Sequence, residues 1–149
     1  LIDTIFDKCN ILSETSRVAS KSLMDAIDSA KSINSNAQVL SISFSQGGEV
    51  IFHGLEGLSA EDRALIHSRT LGSARFIQDM GQASYGNYAS TRDWVPAISN
   101  LNYAQARMGY VNGVTFIPGP SNSLWDHEMK SPTYEAALKD TADRFRSGK

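Results

Sequence analysis

The chain has 149 residues, of which 41% are apolar and 20% charged, and its formal net charge is −2. That length fits one hydrophobic core, and the composition lies well outside the disordered class. The 14 Lys and Arg are scattered, so there is no basic stripe of the kind that draws nucleic acid or anionic lipid.

Residues 13–33 read as a long amphipathic helix. Ser13 is placed as its N-cap, and Ala19, Leu23, Ile27 and Ala30 form one apolar stripe. Upstream, Ile2, Ile5, Phe6 and Cys9 also have helical spacing. Asn34-Ser35-Asn36 ends the helix. Ser41-Ile42-Ser43-Phe44-Ser45 then alternates as a half-buried strand does, and Glu49-Val50-Ile51-Phe52-His53 is a second β-rich run. Gln46-Gly47-Gly48 lies between them, and the reading is a β-hairpin.

Ser59-Ala60-Glu61-Asp62 resembles a capping box and opens a helix expected to run to about Met80, before Gly81. Its small residues Ser68, Gly72 and Ser73 suggest close approach to another backbone. Residues 82–93 read as an exposed loop. A helix follows from Pro96 to Met108, then a strand at Val114–Ile117 stopped by Pro118-Gly119-Pro120, and a terminal helix from Tyr134 to Arg146 capped by Thr133. The expected fold is α+β, a small antiparallel sheet with flanking helices, in a single domain spanning 1–149.

The chemistry-bearing residues are sparse. Cys9 is the only cysteine, so no internal disulfide forms, and its apolar-patterned segment suits a small core residue. No asparagine stands in an Asn-x-Ser/Thr sequon. The three histidines, His53, His67 and His127, lack metal-ligand spacing. Asp126-His127-Glu128 is a tempting cluster, but consecutive side chains diverge, and it reads as a polar loop anchored by Trp125. There is no Gly-x-Ser-x-Gly elbow and no phosphate-binding glycine loop. Arg63, Arg69 and Arg75 do not line one helical face and read as solvated charges. Tyr85, Tyr88, Trp94, Tyr103 and Tyr110 give the middle third an aromatic bias suited equally to a core or a pocket.

The order of elements adds a resemblance. Val39-Leu40-Ser41-Ile42-Ser43-Phe44, Gln46-Gly47-Gly48-Glu49, Val50-Ile51-Phe52-His53, the helix with Ser68 and Gly72-Ser73, and Gly113-Val114-Thr115-Phe116-Ile117-Pro118-Gly119 together resemble the GlcG/HbpS-like haem-binding or "haem-degrading" family over residues 15–120. Family members follow the Pro-Gly with a further hydrophobic hairpin, which Pro120-Ser121-Asn122-Ser123-Leu124-Trp125 does not supply. The resemblance implies a self-associating, profilin-like or PAS-like domain that binds haem or another planar cofactor. His53, His67 and Tyr85 are the ligand candidates to mutate first.

The functional expectation is therefore a non-enzymatic small-molecule-binding or sensory domain, with haem as the candidate cofactor. The alternative is a protein-interaction module, such as a secreted effector or accessory subunit. The partners expected are a small molecule, another protein or a second copy of the chain, and not nucleic acid. An enzyme whose catalytic residues come from distant positions ranks third. No stretch reaches the roughly 18 to 20 apolar residues that span a bilayer. A chain beginning at Leu1 leaves room for a removed signal peptide, anchor or further domain, so the expectation for compartment stays open between a soluble cytoplasmic protein and one exported with its signal removed.

Overall fold

Four strands and six helices make up the residues described, 14–120 and 125–148, in this computed structural model. In chain order they are α1 (Glu14–Ile33), β1 (Val39–Phe44), α2 (Gly47–Glu56), α3 (Ala60–Arg63), β2 (Ile66–Leu71), β3 (Ser84–Ser90), α4 (Trp94–Ser99), α5 (Tyr103–Arg107), β4 (Val114–Ile117) and α6 (Pro132–Arg146). Ile2, Ile5, Phe6, Cys9 and Ser13 lie outside the described residues.

The strands form one sheet in the order β1-β2-β3-β4, and every pairing is parallel. This corrects the expected antiparallel sheet: the architecture is α/β. The alternation of β1 had suggested one wet face. Instead Ile42 and Phe44 pack under α6 with Leu71, Tyr134 and Ala137. Ser41 and Ser43 point the other way and are only 8% exposed each. They are there because they are small, not because they meet water. Coverage on both faces is what a parallel sheet requires.

The expected hairpin is overturned at the same place. Gly47–Glu56 is helix α2, not a second strand. Ile51 and Leu55, four residues apart, turn together into a core with Leu23 and Ile27 of α1, Leu58, Ile66 and Ile77. Each large aliphatic side chain buried there contributes about 1.5–3 kcal/mol, a gain that exposed hairpin strands would not match. The helix expected from residue 59 to 80 also fails. Ser59 caps as expected, accepting from the Asp62 N–H at 3.0 Å, but α3 lasts one turn before β2 begins.

The segment read as a loop from residue 82 contains β3, and the helix expected from Pro96 to Met108 is broken at Asn100. The Asn100 side chain accepts from the Phe76 N–H at 2.6 Å and donates to the Ser73 and Pro96 carbonyls. Strand β4 falls where the sequence placed it. Helix α6 begins two residues early, with Ser131 rather than Thr133 as cap.

Sequential parallel strands joined by right-handed crossovers put their connecting helices on one face. Accordingly α1 and α2 share one face with the β4-edge cluster of Phe76, Ala89, Ala106 and Tyr103, and α6 covers the other. The β2–β3 connection contains no helix. It is held by Asn87 on β3, whose amide brackets the Ile77 peptide, accepting from its N–H at 2.7 Å and donating to its carbonyl at 2.9 Å.

Candidate functional site

The loops leaving the C-terminal ends of parallel strands are where side chains from separate strands converge. Ser45 follows β1, Asp93 follows β3, and His127 lies in the segment between β4 and α6. The three form one hydrogen-bonded line. Asp93 Oδ2 lies 2.8 Å from His127 Nδ1, and His127 Nε2 lies 2.9 Å from Ser45 Oγ. A carboxylate only accepts, so Nδ1 carries the proton and Nε2 presents a lone pair to the Ser45 hydroxyl.

Ser45 is held in an unusual backbone. Its φ is +56°, and it is the one non-glycine with positive φ among the described residues. Such a conformation costs about 1–3 kcal/mol and persists only where surroundings enforce it. Here they do. The Ser45 N–H donates to the Leu71 carbonyl, and the Ser45 carbonyl accepts from the N–H groups of Gly48 and Ala74. The turn carries the chain from β1 straight into α2, so the hydroxyl stands at the tip of a sharp strand-to-helix bend.

This bend needs small residues on either side. A Cβ on Gly47 would sit 3.3 Å from the Cβ of Ser43, and one on Gly48 would collide with Ser73. The pentapeptide Ser43-Phe44-Ser45-Gln46-Gly47 is thus a small-x-Ser-x-Gly elbow, with serine at the first position where a strict search demands glycine. Within it, Gln46 is the N-cap and Gly47 the first residue of α2, and their N–H groups have no carbonyl one helical turn earlier to bond. They sit at the positive end of the helix dipole.

Asp93 is fully buried at the site and fixed through both oxygens. Oδ1 accepts from the Val95 N–H at 2.9 Å, capping α4. Oδ2 also accepts from the hydroxyl of Tyr134 at 2.5 Å. The buried Tyr134 hydroxyl in turn accepts from the Ser90 N–H at 3.1 Å. Burial first, and the Asp93 hydrogen bond second, push the Tyr134 phenol far above its ordinary value. Gly72, at φ +55°, gives this pair its room, because a Cβ there would lie 2.5 Å from Asp93 Oδ2.

The His127 ring stacks on Phe44, with centroids 4.8 Å apart, and the edge of Trp125 meets it at 5.9 Å. Its side chain retains 12% exposure. The His127 ring is therefore held by Asp93, Phe44 and Trp125 while part of it still meets solvent.

The residues singled out from the sequence lie elsewhere. His53 is buried on α2, with Nδ1 2.6 Å from Glu56 Oε2 and Nε2 3.7 Å from Glu49. His67 projects toward α6, in edge contact with Phe145 and bonded to Ser84 and Gln38. Burial, and secondarily Arg69, lower its pKa. Tyr85 pairs with Ser68 in register and so faces away from His67, into the α1–α2 core. The structure does not bring these three together. Arg75, read as solvated, donates to the buried Glu49 at 2.9 Å and lies over the Phe52 ring.

Among the described residues, no group of three His, Cys, Asp or Glu is placed to hold a metal ion, and no helix is long and apolar enough to cross a membrane. The polar-loop reading of residues 125–128 missed His127. The signal that was present is the elbow itself, passed over because serine stands where Gly-x-Ser-x-Gly requires its first glycine, and read as a hairpin turn because Gly47-Gly48 lies between two β-rich runs. No family model, curated protein or solved structure matches this chain.

Proposed function

We propose that this chain is a serine hydrolase acting on carboxylic esters or related acyl compounds. The observation that carries the reading is the Ser45–His127–Asp93 line, with its hydroxyl on a strained strand-to-helix bend. These are the parts a nucleophilic acyl transfer needs: a nucleophile, a base in reach and a group that orients the base. Ser…Asp…His is also the chain order of α/β-hydrolase triads, an analogy at the level of fold and geometry.

The chemistry follows from the geometry. Ser45 Oγ attacks the substrate carbonyl carbon while its proton passes to His127 Nε2. Asp93 balances the imidazolium charge and holds the ring in the productive tautomer. The carbonyl oxygen gains negative charge beside the Gln46 and Gly47 N–H groups at the α2 N-terminus, the natural place for an oxyanion. His127 then returns the proton to the leaving alcohol as the carbon–oxygen bond breaks, leaving an acyl group on Ser45. Water, deprotonated by His127, releases the acid and restores the serine.

The non-enzymatic ligand-binding reading, with its haem variant, gains no comparable support. Its three candidate residues stand apart, and the Gly-Gly turn that carried the resemblance enters a helix.

A fluorophosphonate probe tests the proposal. It is expected to label Ser45, identified by peptide mass, and to abolish hydrolysis of p-nitrophenyl butyrate. Ser45→Ala is expected to lose labelling and at least about a thousandfold in kcat, and Asp93→Asn about as much, through the wrong histidine tautomer. Folded protein whose Ser45 stays unlabelled would overturn it.

A further inference from the structure

The catalytic line opens onto an apolar surface. Trp125 touches His127 edge to face, and its ring lies 5.7 Å from that of Trp94. Trp94 is the first residue of α4, and Ile98, four residues on, lies on the same side of that helix. All three are turned to water: Trp94 is 58% exposed, Ile98 79% and Trp125 49%. Large apolar side chains clustered in solvent mark a place where something apolar binds. Because the cluster begins at the histidine, a macromolecule seated on it would cover the nucleophile. The occupant that leaves chemistry possible is the substrate itself.

We propose that the substrate is an ester of a medium-to-long aliphatic acid, whose acyl chain lies across Trp125, Trp94 and Ile98 while its carbonyl reaches Ser45. The inference rests on the hydrolase reading and gives it a substrate class. An acetyl group is too short to follow the ring-to-ring steps of 5.9 Å from His127 to Trp125 and 5.7 Å on to Trp94, whereas an eight-carbon chain is long enough to extend along them. Each methylene taken from water onto this surface strengthens transition-state binding by up to about fourfold.

The test compares p-nitrophenyl acetate, butyrate and octanoate, each below its micellar concentration, on the full chain. The expected result is a kcat/KM that rises with chain length, at least about tenfold from acetate to octanoate. Trp94→Ala is expected to flatten that rise about fivefold or more, and Trp94→Phe to restore most of it. Equal kcat/KM across the series, with Ser45 still labelled by fluorophosphonate, would overturn the acyl-chain proposal and leave the hydrolase standing. A Trp94→Ala variant that keeps the full chain-length preference would overturn the placement of the chain. No turnover and no label at Ser45 would sink both.

Discussion

Asp93 takes hydrogen bonds from three separate parts of the chain: the Val95 N–H of its own helix, the His127 ring and the Tyr134 hydroxyl. A buried carboxylate is costly unless its acceptor sites are filled, and each partner here also fixes a direction. Tyr134 sets the lateral position of Oδ2, and so the angle at which Asp93 meets His127. Tyr134→Phe keeps the ring in its core but removes that donor and leaves the Ser90 N–H without its acceptor. Hydrogen bonds to charged groups contribute about 1.5–3 kcal/mol. The variant is expected to lose that much stability in urea denaturation. Esterase kcat is expected to fall about tenfold or more with little change in KM. An unchanged kcat would show that Asp93 is positioned without Tyr134.

Between β2 and β3 the chain crosses in parallel without a helix, and Asn87 substitutes for the hydrogen bonds a helix would make internally. Besides bracketing the Ile77 peptide, its side chain accepts from the Thr70 hydroxyl at 2.8 Å and donates to the Gly113 carbonyl at 3.1 Å. It thereby ties β2, β3, the crossover and the start of β4 at one buried point. Asn87→Leu has similar volume but no polar atoms, and it strands the Ile77 N–H and carbonyl out of water. The expected loss is about 2–4 kcal/mol, measured as a shift in denaturation midpoint. Amide exchange is expected to quicken in residues 73–83 ahead of β1. A loss under about 0.5 kcal/mol would mean that water satisfies the crossover peptide.

The raised pKa of the buried Tyr134 phenol couples folding of the entire chain to alkaline pH. The phenol is far harder to ionise in the folded chain than in the unfolded one, where tyrosine titrates near about 10. A group whose pKa is raised by folding contributes stability in full below its unfolded value. That contribution is lost as pH rises above it. Between about pH 9.5 and 11, the denaturation midpoint of the wild-type chain is expected to fall more steeply than that of Tyr134→Phe. Parallel curves for the two proteins would show that Tyr134 ionises without unfolding. At low pH a different pair acts: Lys31 and the Ser59 hydroxyl lower the Asp62 pKa, a surface contribution present above the ordinary aspartate range and lost on acidification.

Helix α1, strand β1, strand β4, the Ser59 cap and helix α6 were all legible in the sequence, because apolar periodicity and capping chemistry act within a few residues. Strand direction was not legible. Alternation in β1 is the same whether its neighbour runs parallel or antiparallel, and serine reads as polar until a helix is seen to need its smallness. Ile66–Leu71 and Ser84–Ser90 lack a clean hydropathic period because small polar residues such as Ser68 and Thr70 fill the buried face, while His67 and Arg69 lie half-buried on the other. The site was legible only as fragments. Ser43-Phe44-Ser45-Gln46-Gly47 held the elbow, and His127 stood beside its tryptophan. Sequence therefore determined the local elements and a small-residue turn. The assembly of Ser45, Asp93 and His127, separated along the chain by 48 and then 34 residues, was decided by tertiary structure alone. The parallel register of β1 through β4 brings their trailing loops to one edge, and no local pattern carries that information.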